Sequence, residues 1–421
     1  MLNQGLTHVT TVADSLDFFR GQLDYMKARG FAVRAMTSPG PDLDRYAAEL
    51  DIRIDPVPMA RRITPFADLG AIRAMRRLLH RHHPVIVHAH TPKGGLLGLA
   101  AAVSAAIPVR IYHMRGLPFT TASGWQRALL RLTERLSCHL AHQVFAVSES
   151  VRAVAVEEKL CDPSRIKVLG RGSGNGVDAA GRFNPDAVRP GARQETRTRL
   201  GIPDDAFVVG FVGRIVRDKG VVELVEAWRS IRETSAHAHL LVLGPFEARD
   251  AVPEDTARAL RADSRVHLVG TVFGMPSWYA GMDVVVLPTY REGFPNVALE
   301  AAAMRLPVVA TRVAGCVDAV EHGTTGLLVP PRDPAVLVAA IQAYLLDPAL
   351  RRDHGAAGRA RVLAHFRPET VWQALYLEYV RLLGQAGVVV EGARARRPQH
   401  RRGGSPVAAV PPAGVHAGGK R

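Results

Sequence analysis

Short apolar runs alternate along this chain with segments whose apolar residues recur at helical spacing, the pattern of a parallel sheet with helices on both faces. The runs predict strands at residues 6–12, 31–37, 52–57, 85–88, 109–114, 144–147 and 166–169. A second series follows at 207–213, 239–243, 266–269, 283–287, 307–311 and 326–329. Strands buried on both faces need no polar alternation, which is why Asp283 leads straight into Val284-Val285-Val286-Leu287. Between the first two runs Leu16, Phe19, Leu23 and Met26 repeat at helical spacing while Arg20, Asp24 and Lys27 fall elsewhere, predicting an amphipathic helix with a core-facing stripe. Residues 170–203 hold glycines, prolines and mixed charge without a long periodic segment and read as a hinge of loops. A last helix, about 368–383, carries Val371, Leu375 and Leu382 with Trp372, Tyr376 and Tyr379, enough apolar surface to dock on a domain and cross back to the first.

The fold class this predicts is α/β, with two Rossmann-like doubly wound domains facing across a cleft. The expected division is a first domain over 1–180, a hinge over 181–203, a second domain over 204–367, a helix packing back over 368–388 and an unordered basic tail over 389–421. At 421 residues the chain suits two domains of ordinary size, and 47% hydrophobic with 22% charged residues is close to a globular average. The weakly polar stretch 94–109 is rich in Gly and Ala and reads as a packed helix rather than a membrane span. The first twenty residues include Asp14, Asp17 and Arg20 and do not read as a signal peptide. Cys138, Cys161 and Cys316 are far apart in sequence, fit neither a disulfide framework nor a zinc site, and suggest a reducing, cytoplasmic setting.

Of the net charge of +15, +7 lies from Arg394 onward, leaving +8 on the rest. The tail's Gly, Pro, Ala and Arg cannot bury enough apolar surface to order it. Elsewhere the basic residues gather at Arg61-Arg62 and at Arg73, Arg76, Arg77 and Arg81, on a helix ending His80-Arg81-His82-His83. A solvated helix face explains them; contact with anionic lipid headgroups or a phosphorylated acceptor is the functional alternative. No nucleic-acid reading motif accompanies the charge, so no nucleic-acid partner is expected, and the His run lacks a second ligand pair for a metal.

The densest chemistry is Arg291-Glu292-Gly293-Phe294-Pro295-Asn296-Val297-Ala298-Leu299-Glu300. Two carboxylates bracket a Gly-Pro turn that follows a buried strand and opens a helix, placing Glu292 on the loop and Glu300 in the helix. The free N–H groups of a helix start suit phosphate or sugar oxygens, so the element reads as a sugar-nucleotide site. Upstream, Val212-Gly213-Arg214-Ile215-Val216-Arg217-Asp218-Lys219-Gly220 ends a strand in Gly-Arg and sets Lys219 at the next helix start. Two cations there fit a diphosphate leaving group, on which charge builds as a glycosyl bond breaks.

These segments, with VIVHAHTPKGGLLGLAAA, VRIYHMRGLP, VFAVSES and GSGNGVDAAGRF, resemble the retaining glycosyltransferases of family 4, in the GT-B fold, over nearly residues 6–383. The first half is most similar to the capsular and exopolysaccharide branch, whose members extend lipid-diphosphate-linked sugars. The resemblance implies a hexosyl- or N-acetylhexosaminyl-transferase using a nucleotide-sugar donor, a UDP-sugar, and a lipid-linked sugar acceptor. It further implies no cofactor and no metal, and a cytoplasmic protein in peripheral contact with the anionic inner face of the cell membrane. It gives Arg214 and Lys219 to the diphosphate, Glu300 to the ribose hydroxyls and Glu292 to the donor sugar. The backbone around Gly293, Phe294, Asn296 and Val297 falls to sugar hydroxyls and phosphate, and the Val269-Gly270 region to the base. Many relatives carry a sugar-positioning His-Gly in the loop that here reads His113-Met114-Arg115-Gly116. Arg115 holds that place, with His113 two residues before, and either can serve. His88 and His90 read as packed structural groups, or, for His90 with Lys93-Gly94-Gly95, as an acceptor border.

Other signals are weak. There is no Walker loop, 170–176 misses the dinucleotide fingerprint because position 175 is Asn, and Asp42-Leu43-Asp44 reads as two solvated acids on a loop rather than a metal-binding DxD. Two alternatives stay beside the transferase: a sugar-nucleotide epimerase of the same architecture, expected to lack the paired glutamates around GFPN, and a catalytically silent GT-B binding subunit.

Overall fold

The structure is a computed structural model that describes residues 4–60 and 64–388. The tail expected to be unordered, 389–421, and the Arg61-Arg62 pair lie outside the described residues. Seven parallel strands form the first sheet: β1 (Gln4–Val9), β2 (Phe31–Thr37), β3 (Arg53–Pro56), β4 (Ile86–His90), β5 (Val109–Met114), β6 (Gln143–Ala146) and β7 (Ile166–Val168). Their order is β3-β2-β1-β4-β5-β6-β7. Six form the second: β8 (Phe207–Val212), β9 (Ala238–Leu243), β10 (Val266–Gly270), β11 (Val284–Leu287), β12 (Val308–Thr311) and β13 (Gly326–Val329), in the order β10-β9-β8-β11-β12-β13. Each order reverses once, between β1 and β4 and between β8 and β11. Open α/β sheets bind ligands at that switch, beyond the carboxyl ends of the strands. The architecture is thus the α/β, two-domain, Rossmann-like fold expected from the strand pattern.

Three local readings change. The Leu16–Met26 stripe is buried as expected, but on two pieces, a 3-10 helix Ala13–Phe19 and an α-helix Gln22–Lys27, broken at Gly21. Gly21 has φ +74°, and a Cβ there would meet the Trp372 ring at 2.5 Å, so the break lets the last helix approach. The span read as a hinge of loops contains a helix, Ala192–Leu200. Its composition is polar because its core residue is Arg197, fully buried, donating to Asp283 Oδ2 at 2.8 Å and to the Ala206 carbonyl at 2.9 Å. That helix therefore packs on the second domain, against the helix Met275–Ala280, where Thr196 Oγ1 donates to the Ser277 carbonyl at 3.0 Å. Asp42 and Asp44 are not on a loop but at the start of the helix Leu43–Leu50, where Asp42 meets Arg45 at 3.3 Å. Cys138 and Cys161, unrelated by spacing, are free and buried, and the fold brings them to the same cavity wall.

The Pro368–Gln385 helix crosses back onto the first sheet. Tyr379 Oη lies 2.6 Å from His88 Nδ1, Arg381 donates to Gln143 at 2.9 Å, and Trp372 Nε1 donates to Asn175 Oδ1 at 2.6 Å.

One buried acid gives the first domain a pH signature. Glu134, in the helix Gly124–Leu140, is buried; Tyr112 donates to its Oε2 at 2.7 Å and its Oε1 has no partner. Burial pushes its pKa from an ordinary 4.5 to about 7. The native state then holds the proton more tightly than the unfolded chain, so this group's contribution to stability falls as pH rises from 4.5 to about 7. Glu134→Gln is expected to remove that slope and to raise stability at pH 8, by at most on the order of 3 kcal/mol, read by denaturant titration at pH 5 and 8. An unchanged slope would contradict the assignment.

Candidate active site

The second sheet's switch point delivers the two motifs to one place. The loop after β8 carries Arg214 and a 3-10 turn, Arg217–Lys219; the loop after β11 carries Glu292 and leads into the helix Asn296–Ala303. Lys219 Nζ forms an ion pair with Glu292 Oε1. Both residues line a cavity of about 350 Å³ with Arg214, Arg115 and the turn Gly293–Val297. No side chain caps the helix start at Pro295, so its first N–H groups are available to an anion or a hydroxyl.

The first domain closes this cavity by direct contact. Ser148 Oγ donates to the Gly293 carbonyl at 2.9 Å, the Gly315 N–H donates to Ser150 Oγ at 2.7 Å, and Ser150 also meets Asp318. Gly293 is required there: a Cβ would strike the Arg115 carbonyl. Phe294 packs 5.4 Å from Phe366, at the wall between the domains.

The other expected site residues divide. Arg214 reaches the cavity, but its guanidinium holds Glu247 at 2.8 Å on the exposed side. Glu300 sits inside the helix and is partly exposed by surface area, yet protein surrounds its carboxyl closely enough that burial raises its pKa against the lowering effect of the Tyr279 hydroxyl, which donates at 2.9 Å. Gly270 ends β10, accepts from the Gly244 N–H at 2.8 Å and does not line the cavity. Of the two candidates at the end of β5, Arg115, just past the strand, lines the cavity. His113 does not: it is buried behind it, its ring 5.3 Å from that of His88. His90 is likewise buried. Three further residues join the site: Ser148 and Ser150 lie within the VFAVSES run, whereas nothing local in the sequence marks Tyr279.

Chemically, the cavity combines fixed cations, one carboxylate and a helix start, a set that fits a nucleoside diphosphate bearing a polar group. No helix among the described residues is long and apolar enough to cross a membrane. Residues 206–347 match the family described as glycosyl transferases group 1, and residues 18–172 match the glycosyl transferase 4-like domain. The capsular polysaccharide biosynthesis glycosyltransferase CapM of Staphylococcus aureus is 35% identical over 379 residues, covering 90% of this chain and 97% of that one. A UDP-Gal:alpha-D-GlcNAc-diphosphoundecaprenol alpha-1,3-galactosyltransferase of Escherichia coli is 26% identical, over 65% of this chain and 70% of its own. Among solved structures, Anabaena Alr3699/HepE in complex with UDP superposes with a TM-score of 0.74 at 18% identity, covering 90% of this chain and all of that one. A UDP-N-acetylglucosamine 2-epimerase shares the architecture with a TM-score of 0.62 at 15% identity, over 91% and 97% of the two chains.

Proposed function

The chain belongs to the group 1, family 4 glycosyltransferases, in the capsular polysaccharide branch, and from that premise we propose that it moves a sugar from a UDP-sugar to a lipid-linked polysaccharide precursor, retaining the anomeric configuration and needing no metal. The observation that carries this reading is the convergence of Lys219, Glu292, Arg214 and the start of the Asn296–Ala303 helix on one cavity at the β8/β11 switch, under the first domain. Lys219 and Arg214 neutralise the diphosphate as the bond from the anomeric carbon to the β-phosphate oxygen breaks. Glu300 accepts from the ribose hydroxyls. Glu292 holds Lys219 and faces the donor sugar, and the turn Gly293–Val297 binds sugar hydroxyls and phosphate. The acceptor hydroxyl attacks from the face the diphosphate leaves, and its proton passes to the departing phosphate oxygen. The two cations and the helix start take the place a metal ion would have beside that diphosphate. The nature of the two relatives that act on capsular and diphosphoundecaprenol-linked glycans supports a lipid-linked acceptor.

The test is the product's anomeric configuration, read by proton NMR after reaction in a chelator. Retention at an undiminished rate is expected; inversion, or activity restored only by a divalent ion, contradicts the reading.

Such an acceptor calls for a membrane-facing surface. The helix Pro65–His82 exposes Arg73, Arg76, Arg77 and Arg81, with Phe66 94% and Leu69 45% exposed near its start. Cations beside large exposed apolar groups suit an anionic lipid surface at the inner face of the membrane. The protein is expected to sediment with phosphatidylglycerol vesicles but not with phosphatidylcholine vesicles, and to lose most of that binding in Arg73→Glu/Arg77→Glu. Equal sedimentation with both lipids would contradict it.

A further inference from the structure

Behind the cavity, four histidines line one face of the first sheet. His8 on β1 stands in register with His88 on β4, and His90 on β4 with His113 on β5. All are buried. Arg115 Nε donates to His90 Nδ1 at 3.2 Å, and His90 Nε2 lies 3.0 Å from His8 Nδ1.

A guanidinium only donates, so His90 Nδ1 carries no proton, and the neutral ring has its proton on Nε2. That N–H donates to His8 Nδ1, which leaves the His8 proton on Nε2, where no partner exists. One tautomer per ring follows. Burial first, and the Arg115 charge among the lesser causes, push both rings well below the ordinary histidine range, so both are neutral at any working pH. Ring nitrogens of His8, His88 and His90 lie within 4.8 Å of one another, close enough to suggest a metal. The hydrogen bonds argue otherwise. His8 and His90 each spend their one lone pair on the chain that ends at Arg115, and a cation there would sit beside a guanidinium.

The other end of Arg115 is uncommitted. Among the described residues it makes no ion pair, whereas its neighbours in the cavity are paired, Lys219 with Glu292 and Arg214 with Glu247. Its guanidinium carbon sits 4.6 Å from the Phe18 ring centre, and Nη1 occupies the space that a Cβ on Gly174 would need. Burial without a carboxylate partner pulls its pKa down, a sign that the charge lacks a counter-ion. A guanidinium fixed through Nε offers its Nη groups as a fork matched to a carboxylate or a phosphate.

We propose that Arg115 is an anion hook in this cavity, held by His90 and behind it His8, and that it grips a phosphate or carboxylate carried by one of the two substrates. His90 and His8 are positioning residues. The proposal rests on the cavity being the site of transfer, and it narrows the substrates to those that bring an anionic group to Arg115.

Calorimetric affinities for UDP, UDP-glucose, UDP-glucuronate and farnesyl diphosphate, in wild type and Arg115→Gln, test it. Wild-type affinity for UDP by itself reports on the reading of the cavity as a donor site. In the Arg115→Gln variant a loss of about ten- to a hundredfold is expected, the range of a charge-assisted pair. Loss confined to UDP-glucuronate assigns the hook to a donor carboxylate. Loss for farnesyl diphosphate alone assigns it to the acceptor's phosphate, and loss shared by UDP and both UDP-sugars to the departing diphosphate. No loss for any probe overturns the proposal. His90→Ala is expected to weaken the same probe by a similar factor, with no further loss in the double variant, and His90→Asn, whose Oδ1 can accept in place of Nδ1, to recover most of it. Equal weakening of every probe in step with a lower melting temperature would reduce His90 to a packing residue. One equivalent of zinc retained through desalting by wild type and lost by His90→Ala would overturn the neutral histidine chain.

Discussion

Lys219→Ala is expected to lower turnover by about 10²–10³ while the protein stays folded, because it removes a donor aimed at charge that develops as the diphosphate departs. Interactions made mainly in the transition state show in kcat and kcat/KM together rather than in KM alone. The substitution has a second effect. Lys219 and Glu292 side chains are only 23% and 14% exposed, so the variant leaves a half-buried carboxylate without its partner, at about 1–3 kcal/mol. Lys219→Ala/Glu292→Gln separates the two effects: thermal stability is expected to recover and turnover is not. A Lys219→Ala enzyme with wild-type turnover would remove the lysine from the diphosphate, and recovery of turnover in the double variant would mean that the loss came from the stranded carboxylate.

Glu300 gives the second large effect, with opposite consequences for binding and folding. Glu300→Ala is expected to weaken UDP binding by about ten- to a hundredfold, the range of a charge-assisted hydrogen bond from a ribose hydroxyl. Burial raises the native pKa of Glu300 above its unfolded value, so the native state binds the proton more tightly and stability falls as pH climbs above the ordinary 4.5. Glu300→Gln, which cannot ionise, is expected to melt no lower than wild type at pH 8 and to bind UDP poorly. Wild-type UDP affinity in either variant would detach Glu300 from the nucleotide. A Gln variant whose melting temperature falls as far as wild type's between pH 5 and pH 8 would detach it from the pH slope.

Much of this was legible because of how parallel sheets are built. Strands buried on both faces must be apolar runs, and all thirteen expected runs are strands, 31–37, 109–114 and 326–329 with unchanged bounds. The Glu292–Glu300 element was legible because loop, helix start and both acids are contiguous. What failed to show lies in contacts between distant segments. Ala192–Leu200 looked like loop because the residue it buries is an arginine, satisfied by Asp283 about ninety residues away. Arg214 looked free because nothing local marks Glu247 as its partner. The histidine row depends on the register of three strands; only the His88-x-His90 spacing, which puts two side chains on one face, hinted at it. That row also separates the two candidates at the end of β5. His113 joins the buried face, and Arg115, two residues on, leaves the strand and enters the cavity.

The measurement that bears most directly on the transfer reaction is nucleotide release from UDP-, GDP- and TDP-sugars by the purified protein, with and without polyprenyl-diphosphate-linked sugars, for wild type and Glu300→Ala. Release of UDP from one donor, stimulated by the lipid-linked acceptor and lost in the variant, is the predicted result. Release that ignores the acceptor, that prefers a GDP- or TDP-sugar, or that survives in Glu300→Ala would contradict it.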